Sequence, residues 1–173
     1  MAHVTFITGG ARSGKSRLAE ELAGRHGAPL GYLATGSAGD GEMAARIARH
    51  QARRGADWQT MEEPLLLTDV LRGHDGYFAA ILVDCVTLWL TNLLMHHDDP
   101  ALVLAQVREL CASFATLQTP LVIVSNEVGL GIVPDNQLAR IFRDLAGEAN
   151  ELIAAAADQV YVTFSGLPIK LKG

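Results

Sequence analysis

Short apolar runs alternate along the chain with stretches in which apolar residues recur every three or four positions. The first pattern predicts β-strands and the second predicts amphipathic helices. Strands are predicted at residues 3–8, 29–35, 77–84, 119–127 and 158–166, with a short extended piece at 57–62. Helices are predicted at residues 15–27, 41–54, 63–73, 86–97, 101–117 and 135–157. Asp135, just after Pro134, is the predicted N-terminal cap of the last helix.

The alternation of strand and helix predicts the fold class. Strands that are apolar throughout indicate a sheet that is buried on both faces, and such sheets are mostly parallel. We therefore predict an α/β protein of three layers, in which a mostly parallel central sheet carries helices on both faces. The chain has 173 residues, which is enough for a sizeable core, so we predict a single domain over residues 1–173.

One apolar stretch, residues 77–95, is similar to a membrane span because it carries a single charge in nineteen positions. That charge is Asp84, and a carboxylate at the centre of a span costs about 2.5–3.5 kcal/mol. We interpret Asp84 instead as the end of a buried strand that an amphipathic helix follows. We therefore expect no membrane span.

Charge and composition exclude other classes. The net charge is −5 and aromatic residues make up 6% of the chain, which disfavours a nucleic-acid-binding protein with a basic, stacking surface. Cys85 and Cys111 are far apart and have no histidine or cysteine at ligand spacing. We predict that both are buried thiols in a reducing compartment, without a disulfide or a metal site, and we expect a cytoplasmic protein.

Residues 9–16 predict a phosphate-binding loop. The sequence "GGARSGKS" fits the P-loop pattern G-x-x-x-x-G-K-[ST], and it lies between a predicted strand and a predicted helix. Glycines allow backbone N–H groups to turn inward towards phosphate oxygens, and the helix N-terminus adds partial positive charge. Lys15 is expected to contact the β- and γ-phosphates, and Ser16 to bind Mg²⁺. The fold predicted above is therefore P-loop NTPase-like.

Three further segments follow predicted strands, so they should lie at the same edge of the sheet as the P-loop. They are residues 34–36, Asp84 and residues 125–127. Asp84 ends the strand "AAILVD", where a carboxylate can hold Mg²⁺ directly or through water. The alternative role for Asp84 is a cap at the N-terminus of the next helix, and the two roles are compatible.

The predicted helix at 41–54 carries a concentration of positive charge. At 100° per residue, one side holds Met43, Ala44, Ile47, Ala48, Gln51 and Ala52, and the other holds Arg46, Arg49, His50, Arg53 and Arg54. No acidic residue between Arg46 and Arg54 offsets their repulsion, and a nucleoside triphosphate would supply the missing negative charge. The alternative is a solvated charged face.

His50 then has three possible roles. Neighbouring guanidinium groups disfavour the protonated imidazolium, and a neutral imidazole is a competent nucleophile towards phosphorus. It could equally be a simple hydrogen-bond donor to phosphate, or a residue on the helix surface. The residues alone leave these alternatives open.

Four segments together resemble a known enzyme family. They are "TGGARSGKSRLAEELA", "EMAARI..H", "NEVGLGIVPDNQLARIFRDLAGEAN" and "AAAADQVY...SGLPIKLK". The chain from Thr8 to about Lys172 is similar to the bifunctional adenosylcobinamide kinase/adenosylcobinamide-phosphate guanylyltransferase family of cobalamin biosynthesis. The P-loop is shared with many families, so the resemblance depends mainly on residues 126–150 and on the spacing from Arg46–Ile47 to His50.

The resemblance implies two reactions. The aminopropanol hydroxyl of adenosylcobinamide is phosphorylated with ATP or GTP, and GMP is then transferred from GTP to that phosphate through a GMP-histidine intermediate. His50 matches the histidine of the family motif and would be the nucleophile, while Arg49 stands where some members have a second histidine. The resemblance also implies Mg²⁺ and a homo-oligomer, trimers in particular.

The resemblance carries a set of nucleotide contacts onto this chain. The P-loop chemistry described above predicts in addition that Lys15 is catalytic and that Ser16 and Asp84 are the metal ligands. Glu62 would accept hydrogen bonds from the N1–H and N2–H₂ donors of guanine, although it could also be an exposed loop acid. The full set is Gly9, Gly10, Ala11, Arg12, Ser13, Gly14, Lys15, Ser16, Ala34, Thr35, Gly36, Gln51, Ala52, Arg53, Arg54, Glu62 and Asp84.

Residues 125–134, "SNEVGLGIVP", are the candidate wall of a corrinoid cleft, because they follow a strand at the P-loop edge and contain glycines. A structural connection is the alternative. Two other functions also fit the motifs less completely. One is a P-loop kinase without nucleotidyl transfer, and the other is an NTPase that single-stranded nucleic acid stimulates through the arginine face.

Overall fold

The computed structural model describes residues 1–36 and 55–173. The helix predicted at 41–54 lies outside these residues. In chain order, the described elements are β1 (Val4–Gly9), α1 (Lys15–Gly24), β2 (Leu30–Ala34), β3 (Trp58–Glu62), α2 (Leu67–Gly73), β4 (Ala80–Asp84), α3 (Val86–His97), α4 (Pro100–Ser113), β5 (Leu121–Val124), α5 (Gln137–Ala156), β6 (Gln159–Phe164) and β7 (Leu167–Lys172).

The strands of the described chain form one sheet in the order β3-β2-β4-β5-β1-β6-β7. Neighbouring strands are parallel, except that β7 runs antiparallel to β6. The predicted mostly parallel α/β fold is therefore confirmed. Because six parallel strands end at the same edge, the loops after β1, β2, β3, β4, β5 and β6 are brought together there.

Apolar side chains fill both faces of the sheet. Alternation along the strands sends Phe6 and Leu33 to a larger cluster, together with buried side chains of α2, α3, α4 and α5. Ile7 and Tyr32 point to a smaller cluster, where Ala19 of α1 packs. Burying an aliphatic or aromatic side chain contributes about 1.5–3 kcal/mol, so these two clusters hold the helices against the sheet.

The segment similar to a membrane span divides in two, as predicted: residues 80–84 form β4 and residues 86–97 form α3. Trp89 of α3 is fully buried and donates its Nε1–H to the carbonyl of Leu65 at 2.9 Å. No helix within residues 1–36 and 55–173 is both long and apolar enough to cross a membrane.

Several boundaries differ from the prediction. The extended piece at 57–62 is a full strand, β3, at one edge of the sheet. Helix α2 begins at Leu67 rather than at residue 63, because the Glu63 carboxylate accepts hydrogen bonds from the N–H groups of Leu65 and Leu66 and holds that stretch in a turn. Helix α4 ends at Ser113, before the predicted end at residue 117.

The predicted cap of the last long helix is wrong by one residue. Asn136, not Asp135, is the N-cap of α5, and its side-chain oxygen accepts a hydrogen bond of 2.8 Å from the N–H of Ala139. Both residue types cap helices well, so local sequence does not choose between them.

The sequence prediction also missed β7. The chain turns at Ser165 and Gly166, which have φ angles of 50° and 82°, and such pairs of positive φ angles are typical of two-residue hairpins. The antiparallel strand that follows contains Pro168, which an edge strand tolerates because one side of it makes no ladder hydrogen bonds.

Candidate active site

The P-loop backbone follows the tight path that the motif predicts. Gly9, Arg12 and Gly14 have φ angles of 150°, 55° and 99°. A Cβ atom at Gly9 would lie 2.5 Å from Oγ1 of Thr163, so only glycine fits there. Gly14 is the cap residue of α1 and has no side chain to bond the first N–H groups of the helix. These N–H groups are suited to a bound phosphate.

Lys15 lies inside this loop rather than extending into solvent, with 7% of its surface exposed. Its Nζ donates hydrogen bonds to the carbonyl oxygens of Gly9 at 3.0 Å and Gly10 at 2.6 Å. The ammonium group is thus held at the centre of the turn by the loop's own backbone. A positive charge in a partly desolvated position attracts an anion more strongly than one in water.

Asp84 lies beside the start of α1. Its Oδ2 accepts hydrogen bonds from Ser16 Oγ at 3.4 Å and from the Tyr32 hydroxyl at 2.9 Å. The alternative role of Asp84 as a helix cap is wrong, because the N-cap residue of α3 is Cys85 and no side chain caps it. The predicted pair of Ser16 and Asp84 is therefore brought together.

The residues after β2 lie next to Asp84. The Thr35 N–H donates to the Asp84 carbonyl at 3.2 Å, and the Thr35 hydroxyl both accepts from the N–H of Cys85 and donates to its carbonyl. Burial, followed by the charge of Asp84, raises the pKa of the Cys85 thiol to about 11. Cys85 is thus a protonated, buried group at neutral pH, and it is not a nucleophile.

Glu62 ends the edge strand β3. In the ladder Ala34 is paired with Glu62 on one side and with Asp84 on the other. Two strand spacings, about 10 Å, therefore separate the backbones of the two acidic residues. Glu62 is exposed at the end of a strand, so it is not a loop residue.

The segment after β5 is the fourth part of this edge. The N–H groups of Ser125 and Glu127 donate to the carbonyl oxygens of Ile7 and Gly9, both at 2.9 Å. Beyond Glu127 the loop is exposed, with Leu130 77% and Ile132 97% accessible. The four predicted segments therefore converge.

An apolar groove lies beside this loop, between α3 and the beginning of α5. Its cavity measures about 280 Å³. Thr91 lines it one helical turn after Thr87, whose hydroxyl accepts a hydrogen bond from the N–H of Asn126. The lining residues are Thr91, Leu94, Met95, Asn136, Leu138, Ala139 and Phe142.

The β6–β7 hairpin supports the P-loop from outside. The Ser13 and Thr163 hydroxyls are hydrogen-bonded at 2.6 Å, and the Gly166 N–H donates to the Ser13 carbonyl at 3.0 Å. Arg17 of α1 donates to the Gly166 carbonyl at 3.1 Å. The sequence analysis did not identify this support, although the Ser165–Gly166 pair between apolar runs is a hairpin signal.

The remaining candidates lie outside the described residues. They belong to the segment 37–54, and the position of the arginine face relative to the P-loop stays a prediction. The candidates in it are Arg46, Arg49, His50, Gln51, Ala52, Arg53 and Arg54.

A family model described as "Cobinamide kinase / cobinamide phosphate guanyltransferase" matches residues 5–171. The chain is 50% identical to the bifunctional adenosylcobalamin biosynthesis protein CobP of Pseudomonas aeruginosa over 168 residues, covering 97% of this chain and 96% of the relative. It is 43% identical to the bifunctional adenosylcobalamin biosynthesis protein CobU of Salmonella typhimurium over 179 residues, covering 96% and 98%.

A solved structure also shares the fold. The flagellar accessory protein FlaH of Methanocaldococcus jannaschii is 14% identical, with a TM-score of 0.53 over 98% of this chain and 78% of that one. At this identity the likeness concerns the fold alone. The family match and the curated relatives extend over nearly the whole chain, and on that ground the protein belongs to the cobinamide kinase / cobinamide phosphate guanyltransferase family and is an enzyme.

Proposed function

We propose that this enzyme phosphorylates adenosylcobinamide with ATP or GTP and then transfers GMP from GTP to the product, giving adenosylcobinamide-GDP. The observation that carries the proposal is the convergence of Lys15, Ser16 and Asp84 around one P-loop in a chain of this family. We further propose that the enzyme acts in the cytoplasm as a homo-oligomer.

The P-loop residues 9–16 would hold the triphosphate through backbone N–H groups, and the Lys15 ammonium would move from the loop carbonyls to the β- and γ-phosphates. Glu62 and residues 34–36 end neighbouring strands, so they would hold the nucleoside. A carboxylate at Glu62 suits guanine, since one edge of guanine offers N1–H and N2–H₂ donors.

Ser16 and Asp84 fit a magnesium ion, because a hydroxyl and a carboxylate oxygen 3.4 Å apart are the hard ligands that Mg²⁺ prefers. When bound, Mg²⁺ neutralises charge on the β- and γ-phosphates. Tyr32 donates a hydrogen bond to the same carboxylate oxygen, so this contact orients the carboxylate without an ion.

In the first reaction the substrate hydroxyl attacks the γ-phosphorus. A P–O bond forms, the bond to the β-phosphate oxygen breaks, and the hydroxyl proton is lost to solvent. In the second reaction an imidazole nitrogen of His50 attacks the α-phosphorus and pyrophosphate leaves. The phosphate of the first product then attacks this GMP-histidine, which restores the imidazole. Arginines in the same predicted helix would stabilise the charge on the transferring group.

The corrinoid is much larger than the nucleotide and needs an additional surface. Residues 127–134 support this role, because they begin at Glu127 on the Gly9 carbonyl and expose Leu130 and Ile132. The apolar groove between α3 and α5 would extend this surface, because its lining includes Asn136, two residues after the loop. We propose that the corrin ring lies against the loop, with its aminopropanol arm directed to the P-loop.

A labelling experiment tests the nucleotidyl step. The protein is incubated with Mg²⁺ and GTP labelled at the α-phosphorus, and it is then denatured. We expect a protein-bound label that is labile in acid, stable in base and absent from His50→Ala. An unlabelled wild-type protein would contradict the covalent step and would leave a kinase without nucleotidyl transfer, which assays with γ-labelled ATP and adenosylcobinamide detect separately.

A further inference from the structure

Asn126 occupies a central place at the active-site edge. Strand β5 lies between β1, which leads into the P-loop, and β4, which ends at Asp84. Hydrogen bonds to β1 continue past the end of β5, from Ser125 to Ile7 and from Glu127 to Gly9. The residue between them, Asn126, therefore lies just beyond the end of β5, between the P-loop and Asp84.

The alternation of side chains indicates which side of the sheet Asn126 faces. Val122 and Val124 pack in the smaller cluster, on the side of α1, whereas Leu121 and Ile123 pack in the larger one. Val124 is paired with Asp84, which bonds to Ser16 of α1. Asn126 lies two residues after Val124, so its side chain is directed to the side of Asp84 and the P-loop.

Two buried side chains from different helices hold the backbone of Asn126. Its N–H donates to Oγ1 of Thr87 at 2.8 Å, and its carbonyl accepts from Nδ2 of Asn150 at 3.1 Å. Thr87 and Asn150 are each 8% exposed, so both contacts are partly shielded from water. This position is fixed more firmly than a loop residue normally is.

The Asn126 carboxamide itself makes no hydrogen bond within the described chain, although it is half-buried and has two N–H donors. Its neighbour Glu127 differs, because its Oε1 accepts from the N–H of Gly129 at 2.8 Å. The backbone of Asn126 is held in place, and its carboxamide N–H groups are available at the edge of the sheet beside the P-loop. This arrangement is expected of a preorganised donor that stabilises negative charge developing during the reaction.

We propose that the Asn126 carboxamide donates a hydrogen bond to the γ-phosphoryl group while it is transferred. The inference rests on the proposed function only in requiring that the P-loop binds a nucleoside triphosphate. As the bond to the β-phosphate breaks, the equatorial oxygens of the transferring group lie between Lys15 and the Ser16–Asp84 pair. The neutral amide of Asn126 adds a third hydrogen-bonding contact to the phosphoryl oxygens, besides Lys15 and the Ser16–Asp84 pair, and it accepts no proton.

Truncation of this side chain separates catalysis from structure. In Asn126→Ala the backbone bonds to Thr87 and Asn150 remain, so we expect an unchanged melting temperature and an affinity for GDP within about threefold of wild type. Affinity for GDP with Mg²⁺ and aluminium fluoride, which mimics the transferring phosphoryl group, should fall about 10²–10³-fold. The kcat of the kinase step should fall by a similar factor.

Two further variants complete the test. Asn126→Asp keeps the shape of the side chain but replaces its N–H donors with a negative charge. Its affinity for the fluoride complex should therefore fall further than that of Asn126→Ala. Gln106→Ala is the matched control, since it truncates another half-buried carboxamide, on α4 and outside the site, and it should bind the fluoride complex like wild type.

An Asn126→Ala protein that binds the fluoride complex normally overturns the proposal. The proposal is also overturned if the affinities of Asn126→Ala for GDP and for the fluoride complex fall by equal factors. That outcome would indicate that Asn126 only positions the bound nucleotide. If wild type forms the fluoride complex but does not phosphorylate adenosylcobinamide, the proposed function fails while the role of Asn126 is still decided by the binding data.

Discussion

The hydroxyl of Tyr32 and the Oδ2 atom of Asp84 are 2.9 Å apart, and this hydrogen bond joins the middle of β2 to the end of β4. The same oxygen accepts from Ser16, so one carboxylate atom links two strands to the first turn of α1. Tyr32 is 7% exposed and packs among apolar residues. It orients the carboxylate without reaching the solvent-facing part of the site.

Tyr32→Phe should weaken magnesium-dependent nucleotide binding about 10–100-fold, because partners that orient a metal ligand have effects of this size. The measurement is a Mg²⁺ titration of a fluorescent nucleotide complex, with nucleotide affinity in EDTA as the reference. Tyr161→Phe is the matched control, since its hydroxyl bonds to Gln159 at 3.5 Å on β6, three strands away from β4 and Asp84 in the sheet. Equal Mg²⁺ midpoints for Tyr32→Phe and wild type would refute the role.

Gly9→Ala and Gly10→Ala should differ in stability despite being neighbours. A Cβ at Gly9 would lie 2.5–2.8 Å from Thr163 and Ser13, whereas one at Gly10 would meet nothing within 4 Å. Overpacking of this kind costs about 1–3 kcal/mol. Urea unfolding without nucleotide should show that loss for Gly9→Ala alone, and an equal change in both variants would contradict the close packing against β6.

Lys15→Ala should impair both half-reactions, because each needs the triphosphate in the same loop. The ammonium is already positioned by Gly9 and Gly10, and removing one preorganised charged donor costs about 10²–10³-fold in kcat. The kinase step is followed with γ-labelled ATP and the guanylyl step with α-labelled GTP. If either reaction keeps its full rate, the two reactions do not share a P-loop site.

Arg53→Lys should reduce guanylyl transfer although the charge is unchanged. A guanidinium binds phosphate through two parallel N–H groups, and an ammonium does not. The appearance of label on the protein from α-labelled GTP measures the effect, and Arg25→Lys, in an exposed i,i+4 ion pair with Glu21, is the control. A wild-type labelling rate in Arg53→Lys would favour the solvated charged face.

Ile132→Asp should raise the KM for adenosylcobinamide and leave the dissociation constant of GTP unchanged. Ile132 is 97% exposed, so the change costs little stability, yet a charge there opposes contact with an apolar ring. Steady-state kinetics with each substrate varied in turn measure the difference. If KM stays the same, the loop is a structural connection only.

Local signals were sufficient for the main part of this fold. Apolar runs predicted the parallel strands, and the P-loop spacing with Asp84 predicted the cluster after β1 and β4 because parallel strands end at one edge. Tyr32 and Thr163 were missed, and Asn126 was identified only as part of the segment 125–127. Each acts through a partner more than 35 residues away, at separations of 52 for Tyr32–Asp84, 150 for Ser13–Thr163 and 39 for Asn126–Thr87, and no local pattern encodes such pairs.

The contact between Ser13 and the β6–β7 turn has a consequence for how the enzyme is made. The P-loop is translated about 150 residues before its outer wall, which consists of Thr163 and Gly166. Within residues 1–36 and 55–173, the partners of strand β1 are β5 and β6, both translated much later. A nascent chain on the ribosome therefore carries the P-loop sequence before the loop can adopt its folded shape, and nucleotide can stabilise the protein only after β6 has been translated.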